Sequence, residues 1–127
     1  MFPVPSSVLA VSSLELLVVE IETADAYVLV RAIGEIDLST APLLADRLLE
    51  AGAAAPPGGA VVLDLTPVEF LGSAGLAVLL DHHQRLDAIG VPLRLVVVGG
   101  AVARVFEITE VTKVLRVFST VEDAATA

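Results

Sequence analysis

Cysteine is absent from the 127 residues, which excludes disulfides, thiolate zinc sites and cysteine nucleophiles and leaves stability to packing. Lysine occurs once, at Lys113, so the chain has no Walker A loop, which needs a lysine directly after its second glycine. Histidine is confined to the adjacent pair His82 and His83. Basic residues are scarce as well: 7 Lys and Arg stand against 16 Asp and Glu, for a formal net charge of −9. A chain with that balance is repelled by nucleic acid and by anionic lipid.

A membrane-spanning run is missing too, although 56% of the residues are hydrophobic and the mean hydropathy is +0.87. The opening stretch MFPVPSSVLAVSSLELLVVE carries prolines, serines and Glu15 and has no basic start. It fits neither a secretion signal nor a span of about 20 apolar residues. These features predict a cytoplasmic protein without membrane insertion and without a nucleic-acid partner. The apolar VPSSVLAV near the start points to an extra contact surface, such as a homodimer interface.

What is present alternates. The length suits one domain, able to bury roughly two thirds of the surface its unfolded chain exposes. LELLVVEI (14–21) and AYVLVRAI (26–33) read as two strands paired antiparallel across the short ETAD. From Ser39, a cap candidate, with Pro42 in the first turn, Leu43, Leu44, Leu48 and Leu49 recur at helical spacing, and the helix is predicted to stop by Gly52. AGAAAPPGG (51–59) reads as a loop. AVVLDL (60–65) reads as an interior strand. SAGLAVLLDHHQRLDAI then switches period, with Leu76, Leu79, Leu80, His83, Leu86 and Ile89 on one stripe. LRLVVV (93–98), AVARVFEI (101–108), VLRVF (114–118) and TVEDAATA continue as strand, helix, strand and a terminal helix prone to fray. Strand and helix in alternation after a hairpin predict an α/β domain with a mixed, mostly parallel sheet.

EFLGSAGLAVLL (69–80) sets one serine between glycines where a strand-like run becomes helical. Placed at the N-cap, Ser73 has a plain structural use, its hydroxyl accepting from an amide of the first turn. Gly75 does not suit that use, because glycine inside a helix costs about 1 kcal/mol relative to alanine. It suggests close access at that point, and Gly72 permits a positive φ or close backbone approach. Catalysis finds no support. A nucleophile elbow needs G-x-S-x-G, yet Leu71 stands two before the serine, and both histidines lie on the serine's own helix. Asp81, His82 and His83 do not make a metal site, since neighbours on a helix point about 100° apart. His83 falls on the apolar stripe as a partly buried packing residue, which leaves His82 to solvent.

Four segments in order, GEIDLSTAPLL, VVLDLTPVEFLGSAGLAVLL, LRLVVVGGAVARVFEIT and VLRVFSTVEDA, together resemble the STAS domain of bacterial anti-sigma factor antagonists. The resemblance spans roughly 14–125 and implies a STAS domain over 14–127 behind an N-terminal extension, 1–13. It implies a non-enzymatic protein, with no cofactor or metal of its own, that captures an anti-sigma factor. That partner is typically also a serine kinase using ATP and Mg²⁺, and it phosphorylates the serine at the start of the second helix, after the third strand. Ser73 holds that position here. The resemblance also implies a partner-binding surface made by Glu35, Asp37, Ser39 and Thr40 with Gly72, Ser73, Ala74, Gly75 and Leu76. Two departures stand out. Gly72-Ser73-Ala74-Gly75 replaces the frequent Asp-Ser-Ser-Gly or Asp-Ser-Thr-Gly, and the third helix ends in ITEV where a glycine cap is frequent. A STAS accessory or scaffold module of a signalling complex, or of a lipid or anion transport assembly, is the alternative such a domain allows.

Overall fold

The structure, a computed structural model, describes residues 16–127. The segment expected to carry a homodimer surface, and the boundary of the extension at residue 13, lie outside the described residues. Leu17–Thr23 (β1) and Tyr27–Ile36 (β2) form the antiparallel hairpin read from the apolar runs, with Val18 opposite Ile33 and Glu20 opposite Arg31. Then follow Ala41–Ala54 (α1), Ala60–Asp64 (β3), Val68–Leu71 (β4), Ser73–Ala88 (α2) and Leu93–Val96 (β5). Gly100–Thr109 (α3), a 3₁₀ turn at Val111–Lys113, Arg116–Phe118 (β6) and Val121–Thr126 (α4) complete the described chain.

The strands order β1-β2-β3-β5-β6, and β4 pairs with the far half of β2. Every pairing except β1 with β2 is parallel, in line with the mixed, mostly parallel sheet predicted. All five residues of β3 are buried, as a parallel strand covered on both faces requires. One face of the sheet meets α1, α2 and α3 through Leu44, Leu48, Leu79, Leu86, Val102 and Phe106. On the opposite face α4 closes a smaller cluster over Leu29, Val62 and Val96. That last helix is anchored: Thr120 caps it by accepting from the Asp123 amide at 3.0 Å, Arg94 donates to the Ala124 carbonyl at 3.1 Å, and Ala124 is fully buried.

Three boundaries differ from the sequence reading, each for a packing reason. The strand-like EFL is part of a strand of its own, β4, so Ser73 follows the fourth strand rather than the third. α1 runs through Gly52 to Ala54, because Gly52 serves contact rather than termination: a Cβ there would stand 2.5 Å from Leu86 Cδ2 on α2. Thr40, not Ser39, is its cap residue, and no side chain caps it. Gly34 is the position where conformation demands glycine. Its φ is +119°, a Cβ would collide with the Leu16 carbonyl oxygen, and the register between β2 and β4 shifts just beyond it.

The ITEV ending of α3 also finds its explanation. Glu110 ends the helix in the left-handed region, φ 59°, the one non-glycine residue with positive φ among those described. Its ion pair with Lys113, 2.8 Å, joins two exposed side chains and contributes little. Glu110→Gly is therefore expected to raise stability by about 0.5–1 kcal/mol, since glycine carries no Cβ penalty there. Thermal unfolding should show a Tm higher by roughly 2–5 °C.

Candidate functional site

Ser73 is the first residue of α2 and is exposed; Gly72 precedes it as the N-cap, and no side-chain bond caps the helix. The expected hydroxyl cap is thus absent, because the helix begins one residue earlier than that reading placed it. Gly72 adopts φ −90° and ψ 179°, ordinary extended backbone, so the positive φ considered for it is not used. A Cβ on it would stand 3.2 Å from the Phe70 ring. Its amide donates to the Ile36 carbonyl at 2.8 Å, tying the end of β4 to the end of β2.

Gly75 is buried, and its role is internal. A Cβ there would meet Ile36 Cγ2 at 2.5 Å and Leu71 Cδ1 at 2.6 Å, so the glycine lets α2 seat directly on the ends of β2 and β4. The close approach expected from the sequence is made by the protein's own core. Ala74 and Leu76 are half-buried, and Leu76 packs on the core. Of the residues 72–76, Ser73 alone is exposed.

The GEID turn stands beside this helix start because β2 and β4 run parallel, with Glu35 opposite Phe70 and Ile36 opposite Leu71. Asp37 organises the turn. Its Oδ1 accepts from the Ser39 hydroxyl at 2.8 Å, the Ser39 amide at 2.9 Å and the Thr40 amide at 3.1 Å. The Thr40 hydroxyl donates to the Glu35 carbonyl at 2.9 Å and accepts from the Asp37 amide at 2.9 Å. The Ser39 hydroxyl is the chief cause holding the Asp37 carboxyl below the usual carboxylate range; partial desolvation opposes it, and the Thr40 and Ser39 amides and the Thr40 hydroxyl add to it. Thr40 is buried and serves the turn itself, Ser39 is exposed, and Glu35 and Asp37 are half-buried. The arrangement places a fixed carboxylate and an exposed hydroxyl at one end of the parallel strands.

Two neighbours escaped the sequence reading. Leu38 is 82% exposed at the tip of the turn and Phe70 is 50% exposed beside Gly72. An apolar residue inside a polar turn, and an aromatic residue two places from a glycine, were the available signals.

His82, expected in solvent, is reassigned: it is buried, 3% exposed, while the His83 side chain, 12% exposed, is partly buried as read, with Nε2 3.7 Å from Asp87. The Nδ1 atoms of both are buried without a hydrogen-bond partner among the described residues. The buried line of α2 runs Gly75, Leu79, His82, Leu86. It is set by the glycine, which a search for large apolar residues passes over; Ile89, placed on the predicted stripe, is 64% exposed. Burial lowers the His82 pKa; Asp81 opposes that and Arg85 adds to it. The neutral form is the one that folds, so its contribution is fully present above the unfolded value near 6.5 and is lost as pH falls through that value toward the lower folded one. Urea unfolding is expected to show stability declining from pH 7.5 to 5.5, and His82→Leu is expected to flatten that decline. No group of three His, Cys, Asp or Glu among the described residues is placed to hold a metal.

The family profile of the STAS domain matches residues 18–124. The chain belongs to the STAS domain family. Similar proteins include the anti-sigma-F factor antagonist RsfB of Mycobacterium tuberculosis, 39% identical over 93 residues that cover 73% of this chain and 74% of RsfB. The crystal structure of an anti-sigma factor antagonist from Mycobacterium paratuberculosis superposes with a TM-score of 0.78 at 34% identity, covering 87% of this STAS domain and 92% of that chain. The anti-sigma factor antagonist SpoIIAA in its unphosphorylated form shares the fold, with a TM-score of 0.67 at 18% identity over 84% of this chain and 92% of that one. The element order of this STAS domain therefore agrees with the fold expected from its four sequence segments.

Proposed function

We propose that this STAS domain is an anti-sigma factor antagonist of the cytoplasm. It binds an anti-sigma factor through the surface where the GEID turn meets the start of α2, and so frees a sigma factor without itself catalysing a reaction. Phosphorylation of Ser73 by a serine kinase, the anti-sigma factor itself in the simplest arrangement, reverses the capture. In that step the Ser73 oxygen forms a bond to the γ-phosphorus of ATP, the bond to the leaving ADP breaks, and the hydroxyl proton is lost. The observation that carries this reading is the Ser73 hydroxyl: exposed, without a hydrogen-bond partner among the described residues, and seated at a helix N-terminus beside the ordered Asp37 turn. The names of RsfB and of the mycobacterial structure support the partner class. Ala74 leaves the loop with a single hydroxyl, so one phosphate per chain is expected.

The test is affinity capture from the source cell with wild-type and Ser73→Ala baits, followed by intact mass of the recovered bait. Both baits should retain an anti-sigma factor, and only the wild type should gain one phosphate. Recovery of a transporter subunit in place of an anti-sigma factor would refute the reading.

A further inference from the structure

The sheet face opposite α1, α2 and α3 is covered by α4 over β3, β5, β6 and the Leu29 end of β2. The uncovered part can be read from the register. Val18 lies opposite Ile33 and Glu35 opposite Phe70, and Leu16, just before β1, stands beside Glu35, whose amide donates to the Leu16 carbonyl at 2.7 Å. Leu16, Val18, Ile33 and Phe70 are 44%, 42%, 36% and 50% exposed. One such residue alone would be ordinary, but four exposed large apolar residues gathered at one end of the paired β1, β2 and β4 make an apolar strip, with the half-buried Glu35 among them. The strip ends at Phe70, whose ring packs beside Gly72 and hence at the Ser73 loop.

Its border is acidic. Glu20, Glu22 and Glu69 are exposed and Glu35 is half-buried. The cation within this stretch, Arg31, is held by Asp64 at 3.3 Å with Glu20 at 4.0 Å. A second copy of the chain would set two acidic borders against each other, which disfavours it as the occupant. A partner with an apolar patch bordered by lysine or arginine fits both the strip and its charge.

We infer that the anti-sigma factor's footprint continues from the Ser73 loop past Phe70 onto this strip, and that the partner presents there an apolar patch with a basic border. The inference rests on the proposed function and names the chemistry of its partner. The anti-sigma factor recovered by capture, purified, is titrated by calorimetry against full-length wild type, Ile33→Asp, the double variant Val18→Thr with Ile33→Thr, Ser73→Asp, and Ile108→Asp on α3 as an exposed control. The threonine pair keeps β-branched residues in the strands, so the strip stays testable even where Ile33→Asp fails to fold. Ile33→Asp should lose at least tenfold in affinity and the threonine pair roughly fivefold, with Ile108→Asp within twofold of wild type. Wild-type affinity should fall at least fivefold between 50 and 300 mM salt as the border charges are screened. Strip variants that bind within twofold of wild type overturn the inference, and affinity unchanged by salt overturns its basic border. Ser73→Asp binding like wild type while Ile33→Asp does not would remove the serine switch and leave the strip in place. A free wild-type dimer that Ile33→Asp dissociates overturns the inference in favour of a second copy. A hydrophobic dye that binds only after deletion of residues 1–13 overturns it in favour of the chain's own N-terminus.

Discussion

Phosphorylation of Ser73 is expected to weaken binding of the anti-sigma factor by roughly a thousandfold while leaving the melting temperature of the free domain nearly unchanged. The modification adds about −1.5 to −2 charges to a chain already at −9, and it does so beside the Asp37 turn, where a carboxylate is held ionised by the Ser39 and Thr40 donors. Across the interface, one like-charge pair between the phosphate and a partner carboxylate or its bound ATP phosphate, at about 4 Å and an effective dielectric of about 20, repels by ~4 kcal/mol, which converts to that loss of affinity. Within the domain the effect is small and of opposite sign. A phosphate at the N-terminus of α2 meets unpaired amides and the helix dipole, worth about 0.3–1 kcal/mol in favour of the fold. Ser73→Asp carries roughly half the added charge and should give half the free-energy effect, about thirtyfold in Kd. Calorimetric titration with the phosphorylated and unmodified forms, alongside thermal unfolding of each, checks both halves. A phosphoform that binds as tightly as the unmodified one would sink the switch.

Gly75→Val is the substitution expected to damage the fold most among those at the site, at roughly 3 kcal/mol or more. The new Cβ would fall 2.5 Å from Ile36 Cγ2 and 2.6 Å from Leu71 Cδ1. Overpacking of that kind typically costs about 1–3 kcal/mol, and the two further methyls of valine have no space prepared for them. Helix propensity works the other way by up to about 1 kcal/mol, too little to compensate. Because the colliding atoms are side chains, the damage should be recoverable. Ile36→Ala removes Cγ2, and in combination with Gly75→Ala it should destabilise less than the sum of the two single changes. Urea unfolding of the four proteins measures that coupling; strict additivity would mean that Gly75 and Ile36 do not share the space the structure assigns them.

The alternation of strands and helices was legible because each apolar run is long enough to fix its own period, and Ser73 was legible as a helix start for the same reason. What escaped lay where one residue sets the phase for many. Gly75 turns α2 so that His82 rather than His83 faces inward, yet a glycine adds nothing to an apolar count. Gly52 looked like an end and is a contact. The turn at 35–40 read as a serine-capped helix start; in the structure Asp37 gathers the donors and Thr40 locks the turn to Glu35. The juxtaposition of that turn with Ser73 depends on the pairing of β2 with β4, a long-range register that local pattern does not encode.

The anchoring of α4 bears on how this domain can be handled. Its Ala124 carbonyl is bound by Arg94 and its cap closes at Thr120, so the last turn is a lid over Leu29, Val62 and Val96. Shortening the C-terminus would uncover those side chains and join them to the strip through Ile33, converting a narrow contact surface into a broad adhesive one. Reporters and affinity handles therefore belong beyond Ala127, behind a spacer, where they leave that lid seated.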